Sequence, residues 1–223
     1  MKSPALITSV LFDLDGTLLD TAPDLTGACN EALTSSGYAA RSEEGLKPYI
    51  SGGAAAMLRY AEPDLDDKPF SALLDRMLEC YQQNIAQRTR FFDGMDIVLD
   101  ELDGRGIPWG IVTNKSSRFT LPLLDAMNLT RRTPCIISGD SLPQKKPHPM
   151  PLLEACRILA ASPGSSVYIG DARRDIEAGR NAGMYTLAAC YGYVSADDPA
   201  TAWGADQQID QPVALIDWLN QQA

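Results

Sequence analysis

Two carboxylates two residues apart, Asp13 and Asp15, follow the apolar run Val10-Leu11-Phe12 and are followed in turn by Leu14 between them and Gly16-Thr17 beyond. An apolar run that begins at Ala5 and Leu6 and stops in acids and a Gly-Thr turn reads as a buried strand delivering charge at its C-terminal edge. Alternation along the strand puts both side chains on the same side. Held together they repel, unless a cation or a shared proton compensates them. A hard divalent cation such as Mg2+, which prefers oxygen ligands, suits that task. A calcium loop opens with the same Asp-x-Asp, but its sharp turn needs Gly at the sixth position, where this chain has Leu18.

Three further stretches carry residues of chemical interest. Thr113-Asn114-Lys115 ends the apolar run Trp109-Gly110-Ile111-Val112 and offers a hydroxyl, an amide and the backbone donors of a strand-to-helix turn, which is what a phosphate oxygen asks for. An ordinary helix cap would use the same residues. Gln144-Lys145-Lys146-Pro147-His148-Pro149 is a proline-stiffened loop in which a lysine can be aimed. Lys146 is the candidate for neutralising nucleophile and phosphate together, while His148, the one histidine of the chain, is assigned no role. Finally, Gly170-Asp171-Ala172-Arg173-Arg174-Asp175 repeats the strand-then-carboxylate pattern, with Asp175 one helical turn beyond Asp171. Asp171 fits as a metal ligand and Asp175 as support for that site or for Lys146.

The elements that position these residues follow from the periodicity. After Thr17 the pattern turns helical and holds no convincing strand: helices are expected at 22–36 (N-capped by Asp20 or Thr21, stopped at Gly37), 43–50 and 70–88, with Ser51-Gly52-Gly53 breaking the chain between the last two. From Phe91 the rhythm is α/β. Helices are expected at 95–103, 117–127, 150–160, 175–181 and 212–221, and strands at 107–113, 135–138, 166–170, 185–189 and 205–209. Such alternation implies right-handed crossovers and a mostly parallel sheet, Rossmann-like, with helices on both faces. In these sheets ligands sit beyond the carboxyl ends of the strands, where Asp13/Asp15, Thr113/Asn114 and Asp171 would converge. The expected organisation is an α/β core from 1–17 and 90–223, with an all-helical cap inserted at 18–89.

Composition narrows the partners. Of 223 residues, 19 are Lys or Arg and 29 Asp or Glu, for a formal net charge of -10, so a nucleic-acid partner, which needs a basic surface, is not expected. No run approaches the length of a membrane span, and the first residues do not resemble a secretory signal. The five cysteines are widely separated and never spaced Cys-x-x-Cys, so neither disulfide nor zinc is indicated, and a reducing cytoplasm is the expected compartment.

Taken together and in order, Asp-x-Asp-Gly-Thr, Thr-Asn, Lys-Pro and Gly-Asp-x-x-x-Asp, with a helical insert after the first, resemble the haloacid dehalogenase superfamily of phosphatases over essentially the whole chain. The resemblance implies roles residue by residue. Asp13 would be the nucleophile that becomes an aspartyl-phosphate, and Asp15 the general acid and base. Mg2+ would be held by the Asp13 side chain, the Asp15 backbone carbonyl and Asp171. Thr113 and Lys146 would hold the phosphoryl group, with Asn114 beside them. Halide displacement from carbon would leave Asp15 and Asp171 without a task.

Within the superfamily the chain looks like the phosphoglycolate phosphatase group. Ile50-Ser51-Gly52-Gly53-Ala54, Phe92-Asp93-Gly94-Met95, Tyr191-Gly192-Tyr193 and Trp203-Gly204-Ala205-Asp206 look most like the N-acetylmuramic acid 6-phosphate phosphatases of bacterial cell-wall recycling. The expected partner is therefore a small phosphate ester, an amino-sugar phosphate first and phosphoglycolate as the alternative. A sugar phosphomutase and a silent phosphate-ester binder stand behind both. Leaving-group choice would fall to the cap, notably Ser51, Gly52 and Gly53, whose missing side chains let backbone approach a substrate.

Overall fold

The structure, a computed structural model, describes residues 6–222; Ala5, where the first apolar run was taken to begin, lies outside them. In chain order the elements are β1 (Ser9–Phe12), β2 (Leu19–Asp20), α1 (Ala22–Ser35), α2 (Glu43–Leu46), α3 (Ala54–Ala61), α4 (Asp67–Gln83), β3 (Arg90–Phe91) and α5 (Met95–Arg105). There follow β4 (Trp109–Val112), α6 (Ser117–Ala126), β5 (Cys135–Ile137), α7 (Met150–Ile158), β6 (Ser166–Gly170), α8 (Arg173–Asn181), β7 (Tyr185–Ala189), β8 (Gln207–Ile209) and α9 (Ala214–Gln221).

Six strands form one sheet in the order β5-β4-β1-β6-β7-β8, and every pairing in it is parallel. The reason is visible in β1, whose four residues are all buried. Val10 and Phe12 face a core shared with α5, α6 and α9, through Val98, Leu99, Leu123, Leu215 and Trp218. Leu11 faces the other way, toward Leu152 and Cys156 of α7 and Ala178 of α8. A strand covered on both faces has no polar side to show, which is why the apolar runs are continuous rather than alternating. The chain runs from β1 outward to β4 and β5 and then crosses back to β6 on the other side of β1, and at such a reversal a crevice opens beyond the strands' carboxyl ends.

The helices α1 to α4 enclose a second apolar cluster of their own, with Cys29, Leu33, Leu46, Met57, Leu58, Leu73 and Met77 at its centre. The expected helix over 43–50 is shorter than anticipated: α2 ends at Leu46, and Lys47–Gly52 continue as a 3-10 turn with Pro48 near its start. The helix expected at 70–88 runs instead from Asp67 to Gln83, with Pro69 tolerated in its first turn. The expectation of no strand after Thr17 is corrected by β2, which pairs antiparallel with β3 (Leu19 with Phe91, Asp20 with Arg90). This two-residue ribbon closes the chain's exit to α1–α4 against its return. Thr21 does occupy the N-cap position of α1, but its hydroxyl makes no capping bond; it is spent on Asp15 instead.

Candidate active site

Asp13 follows β1 directly, and its backbone N–H donates to the Ile169 carbonyl of β6, so the strand register itself fixes where the side chain emerges. Its Oδ1 accepts from the Leu14 amide at 2.7 Å and lies 2.8 Å from the Lys146 ammonium. Lys146 is wholly buried, and its Nζ meets four oxygens: Asp13 Oδ1 and Asp175 Oδ1, both at 2.8 Å, the Tyr168 hydroxyl at 2.7 Å and the Val112 carbonyl at 2.9 Å. An ammonium so placed is held by charge and geometry together, and neighbouring Lys145 is exposed. Sequence reasoning could not see Tyr168, which sits in the apolar run of β6 and reads as core; burial holds its hydroxyl well above the ordinary phenol pKa.

Asn114 lines the cavity, but its amide is committed elsewhere. Its Oδ1 accepts from the Lys146 backbone N–H and its Nδ2 donates to the Lys146 carbonyl, both at 3.0 Å. The expected phosphate-binding amide is therefore a clamp that fixes the Lys146 loop beside β4. The Lys146–Pro147 peptide is cis. Thr113 is buried at the end of β4, its Oγ1 accepting the Lys115 amide at 3.2 Å. His148 stays outside the site, exposed, its Nδ1 accepting the Met150 amide.

Asp171 ends β6 and is buried. Its Oδ2 accepts from the Tyr193 amide at 2.9 Å and from Ser51 Oγ at 3.1 Å, and its Oδ1 lies 3.4 Å from the Thr17 hydroxyl. Burial, with Asp13 and Asp175 close by, pushes its carboxyl up to about 7. The same burial raises Asp175, against the pull of Lys146. Asp175 also caps α8 by accepting the Ala172 amide at 3.1 Å. One carboxylate oxygen from each of Asp13, Asp171 and Asp175 lies within 4.8 Å of the others, a grouping able to hold a metal ion. Three buried acids with one lysine among them are short of positive charge, which a hard divalent cation would supply. Asp13 and Asp171 were expected ligands; Asp175 joins the cluster while serving Lys146.

The Asp15 side chain belongs to a different neighbourhood. Its Oδ1 accepts from the Thr21 hydroxyl at 2.7 Å and from the Lys115 ammonium at 2.9 Å. Lys115 was seen in sequence only as the residue after Thr-Asn, and its ion pair spans a hundred positions. Burial alone would lower its pKa, but Asp15 and Tyr81 outweigh burial and the net shift is upward. Gly16, at φ +81, makes the turn directly after Asp15, and a Cβ there would meet Asp171 Oδ2 at 2.1 Å.

Several of these groups floor a cavity of about 580 Å³. Asp13, Asp15, Thr113, Asn114, Lys115 and Arg174 line it from the sheet side. Leu25, Met57, Leu78, Tyr81 and the Ser51-Gly52-Gly53 turn line it from the helical side. The floor is polar and the roof apolar, a division suited to an anion attached to a larger body.

The Haloacid dehalogenase-like hydrolase family model matches residues 10–189. An N-acetylmuramic acid 6-phosphate phosphatase of Pseudomonas putida is 41% identical over 212 residues, 94% of each chain. A phosphoglycolate phosphatase of Xylella fastidiosa is 40% identical over 214 residues, 96% of this chain and 93% of that one. The crystal structure of a predicted phosphoglycolate phosphatase from Haemophilus somnus superposes with a TM-score of 0.86 at 26% identity, covering 97% of this chain and 99% of the other. With its parallel sheet, its acidic crevice and a family match over most of its length, the chain belongs to the haloacid dehalogenase-like hydrolases.

Proposed function

We propose that the protein is a Mg2+-dependent phosphomonoesterase working through an aspartyl-phosphate, with N-acetylmuramic acid 6-phosphate as its substrate. The observation that carries this reading is the buried Lys146 ammonium 2.8 Å from Asp13, the carboxylate that lines the cavity floor. A carboxylate can attack an anionic ester only if their mutual repulsion is offset, and a fixed cation beside the attacking group does so.

In this reading the Asp13 carboxylate attacks phosphorus and the bond from phosphorus to the ester oxygen breaks. Asp15 gives its proton to the departing alkoxide, then takes one from the water that attacks the aspartyl-phosphate, releasing inorganic phosphate and restoring Asp13. Lys146 and Thr113 hold the phosphoryl oxygens during transfer, and Asn114, Tyr168 and Asp175 keep Lys146 in place. Asp13, Asp171 and the Asp15 backbone would hold the cation, which when bound polarises the phosphoryl group and neutralises its charge. Residues 18–89 act as a cap whose Ser51-Gly52-Gly53 turn and apolar wall select the alcohol. The reading places the enzyme in the cytoplasm, acting on a small diffusible ester.

Substrate size supports the amino sugar. A cavity of about 580 Å³ with an apolar roof falls in the class that encloses drug-sized ligands, larger than a two-carbon acid needs. Phosphoglycolate is retained as the second reading because a relative at 40% identity carries that name. The test is phosphate release with Mg2+ present, with kcat/KM compared for the two esters. A preference of tenfold, about 1.4 kcal/mol in the transition state, decides between them. Full activity in Asp13→Asn would remove the covalent route.

A further inference from the structure

Arg174 stands out among the cations lining the site because its Nε is buried and yet has no hydrogen-bond partner. Its neighbour Arg173 is engaged by Asp198, Lys146 by Asp13 and Asp175, and Lys115 by Asp15. Arg174 makes no ion pair or hydrogen bond among the described residues, and its Nε is buried without a partner. A buried guanidinium nitrogen left unbonded is uncommon in a native protein and asks for an explanation.

Its location supplies one. Arg174 lines the main cavity together with Asp13, Thr113 and Ser51, and it also lines a second cavity of about 350 Å³ with Ser51 and Asp171. It therefore stands between the two, at the end of the main cavity where Asp13 lies. Its charged neighbours are Asp175, Asp13 and Asp171, yet none of them is within ion-pair distance. With one divalent cation bound, those three acids would be matched in charge by that cation and the Lys146 ammonium. The guanidinium charge is thus left for something that arrives.

We infer that Arg174 grips the transferring phosphoryl group, donating from its guanidinium to phosphoryl oxygens on the side away from Lys146. The planar fork matches such oxygens and strengthens as their charge spreads in the transition state. This rests on the phosphatase reading above and adds a catalytic residue to it. An anion on the leaving group would fit the same chemistry, but the proximity of Arg174 to Asp13 favours the phosphoryl end.

The experiment is a titration of the full chain with inorganic phosphate in the presence of Mg2+, alongside turnover of p-nitrophenyl phosphate, whose leaving group carries no second anion. In Arg174→Met, phosphate binding weakens about tenfold or more and kcat/KM for p-nitrophenyl phosphate falls at least as far, while Mg2+ affinity stays within about twofold. Arg174→Lys, which keeps the charge without the fork, falls between. Added guanidinium restores part of the activity of Arg174→Ala, a readout that a merely structural arginine would not give. Unchanged phosphate affinity in Arg174→Met overturns the inference, as does a loss confined to esters with an anionic leaving group. So does an equal loss of Mg2+ affinity, which would make Arg174 a support for the carboxylates. A wild-type chain that neither binds phosphate nor turns over p-nitrophenyl phosphate fails the phosphatase reading itself and is distinguishable from all of these.

Discussion

The Lys115 ammonium lies 2.9 Å from Asp15 Oδ1, with its Nζ 4.6 Å from the centroid of the Tyr81 ring. One lysine from the sheet side therefore links the proposed general acid to an aromatic side chain of α4. If its task is to aim Asp15, its loss should matter only when the leaving group needs a proton. Lys115→Met is expected to reduce kcat about 10- to 100-fold for an alkyl phosphate. For p-nitrophenyl phosphate, whose leaving group departs unprotonated, the reduction should be under about threefold. Steady-state rates on the two esters check this, and equal losses on both would assign Lys115 to phosphate binding.

Tyr168 and Lys146 offer a paired test. Tyr168→Phe removes a hydroxyl 2.7 Å from the buried ammonium but keeps the ring, so a cost of about 1–2 kcal/mol in stability and a fall in kcat of about tenfold are expected. Lys146→Met leaves Asp13 and Asp175 buried and unanswered, and breaking such an arrangement costs about 3–5 kcal/mol. Chemical denaturation should rank the two variants in that order, with Lys146→Met inactive.

Asp171 gives the pH dependence a sign. Its carboxyl, pushed up to about 7, binds a proton in the folded chain through a range where the unfolded chain has already lost it. With metal removed by chelator, this group's contribution to stability falls as pH rises from about 4 to about 7, and its penalty is fully present above that. Mg2+ should therefore raise the melting temperature more at pH 8 than at pH 5. In Asp171→Asn at pH 8, the chelated protein should melt about 5 °C or more above the chelated wild type, and Mg2+ should no longer raise it. Thermal melts of both proteins across this pH range measure the effect, and a metal response independent of pH would count against it.

Gly16 is a site where one methyl group should abolish metal binding. Its φ of +81 and the 2.1 Å approach of a would-be Cβ to Asp171 Oδ2 leave no accommodating rotamer. Gly16→Ala is expected to lose detectable Mg2+ binding by calorimetry. Gly192→Ala, where a Cβ would meet the Gly16 carbonyl at 2.1 Å and Asp171 Cβ at 2.4 Å, should behave likewise. Wild-type affinity in either would show that the turn can yield.

Much of this was legible from the chain because buried parallel strands advertise themselves. The strands at 166–170 and 185–189 read from sequence coincide with β6 and β7 to the residue, since both are mostly apolar and fully buried. The ribbon of β2 and β3 was not legible: two residues carry no period, and their pairing joins positions some seventy apart. Side-chain commitments were harder still. Asn114 and Thr21 have the chemistry of ligand and cap, and only the fold shows that one clamps Lys146 and the other answers Asp15. A lysine after Thr-Asn, a tyrosine in an apolar strand and the second of two arginines gave no signal until distant partners, or the lack of one, became visible.

The cavity's two walls come from stretches of chain that meet through the β2–β3 ribbon. Asp13, Asp15 and Thr113 sit on one side of that seam, and Leu25, Met57 and Leu78 on the other. In the proposed reading, substitutions at those three apolar positions would alter the fit of the alcohol and leave the groups around Asp13 in place.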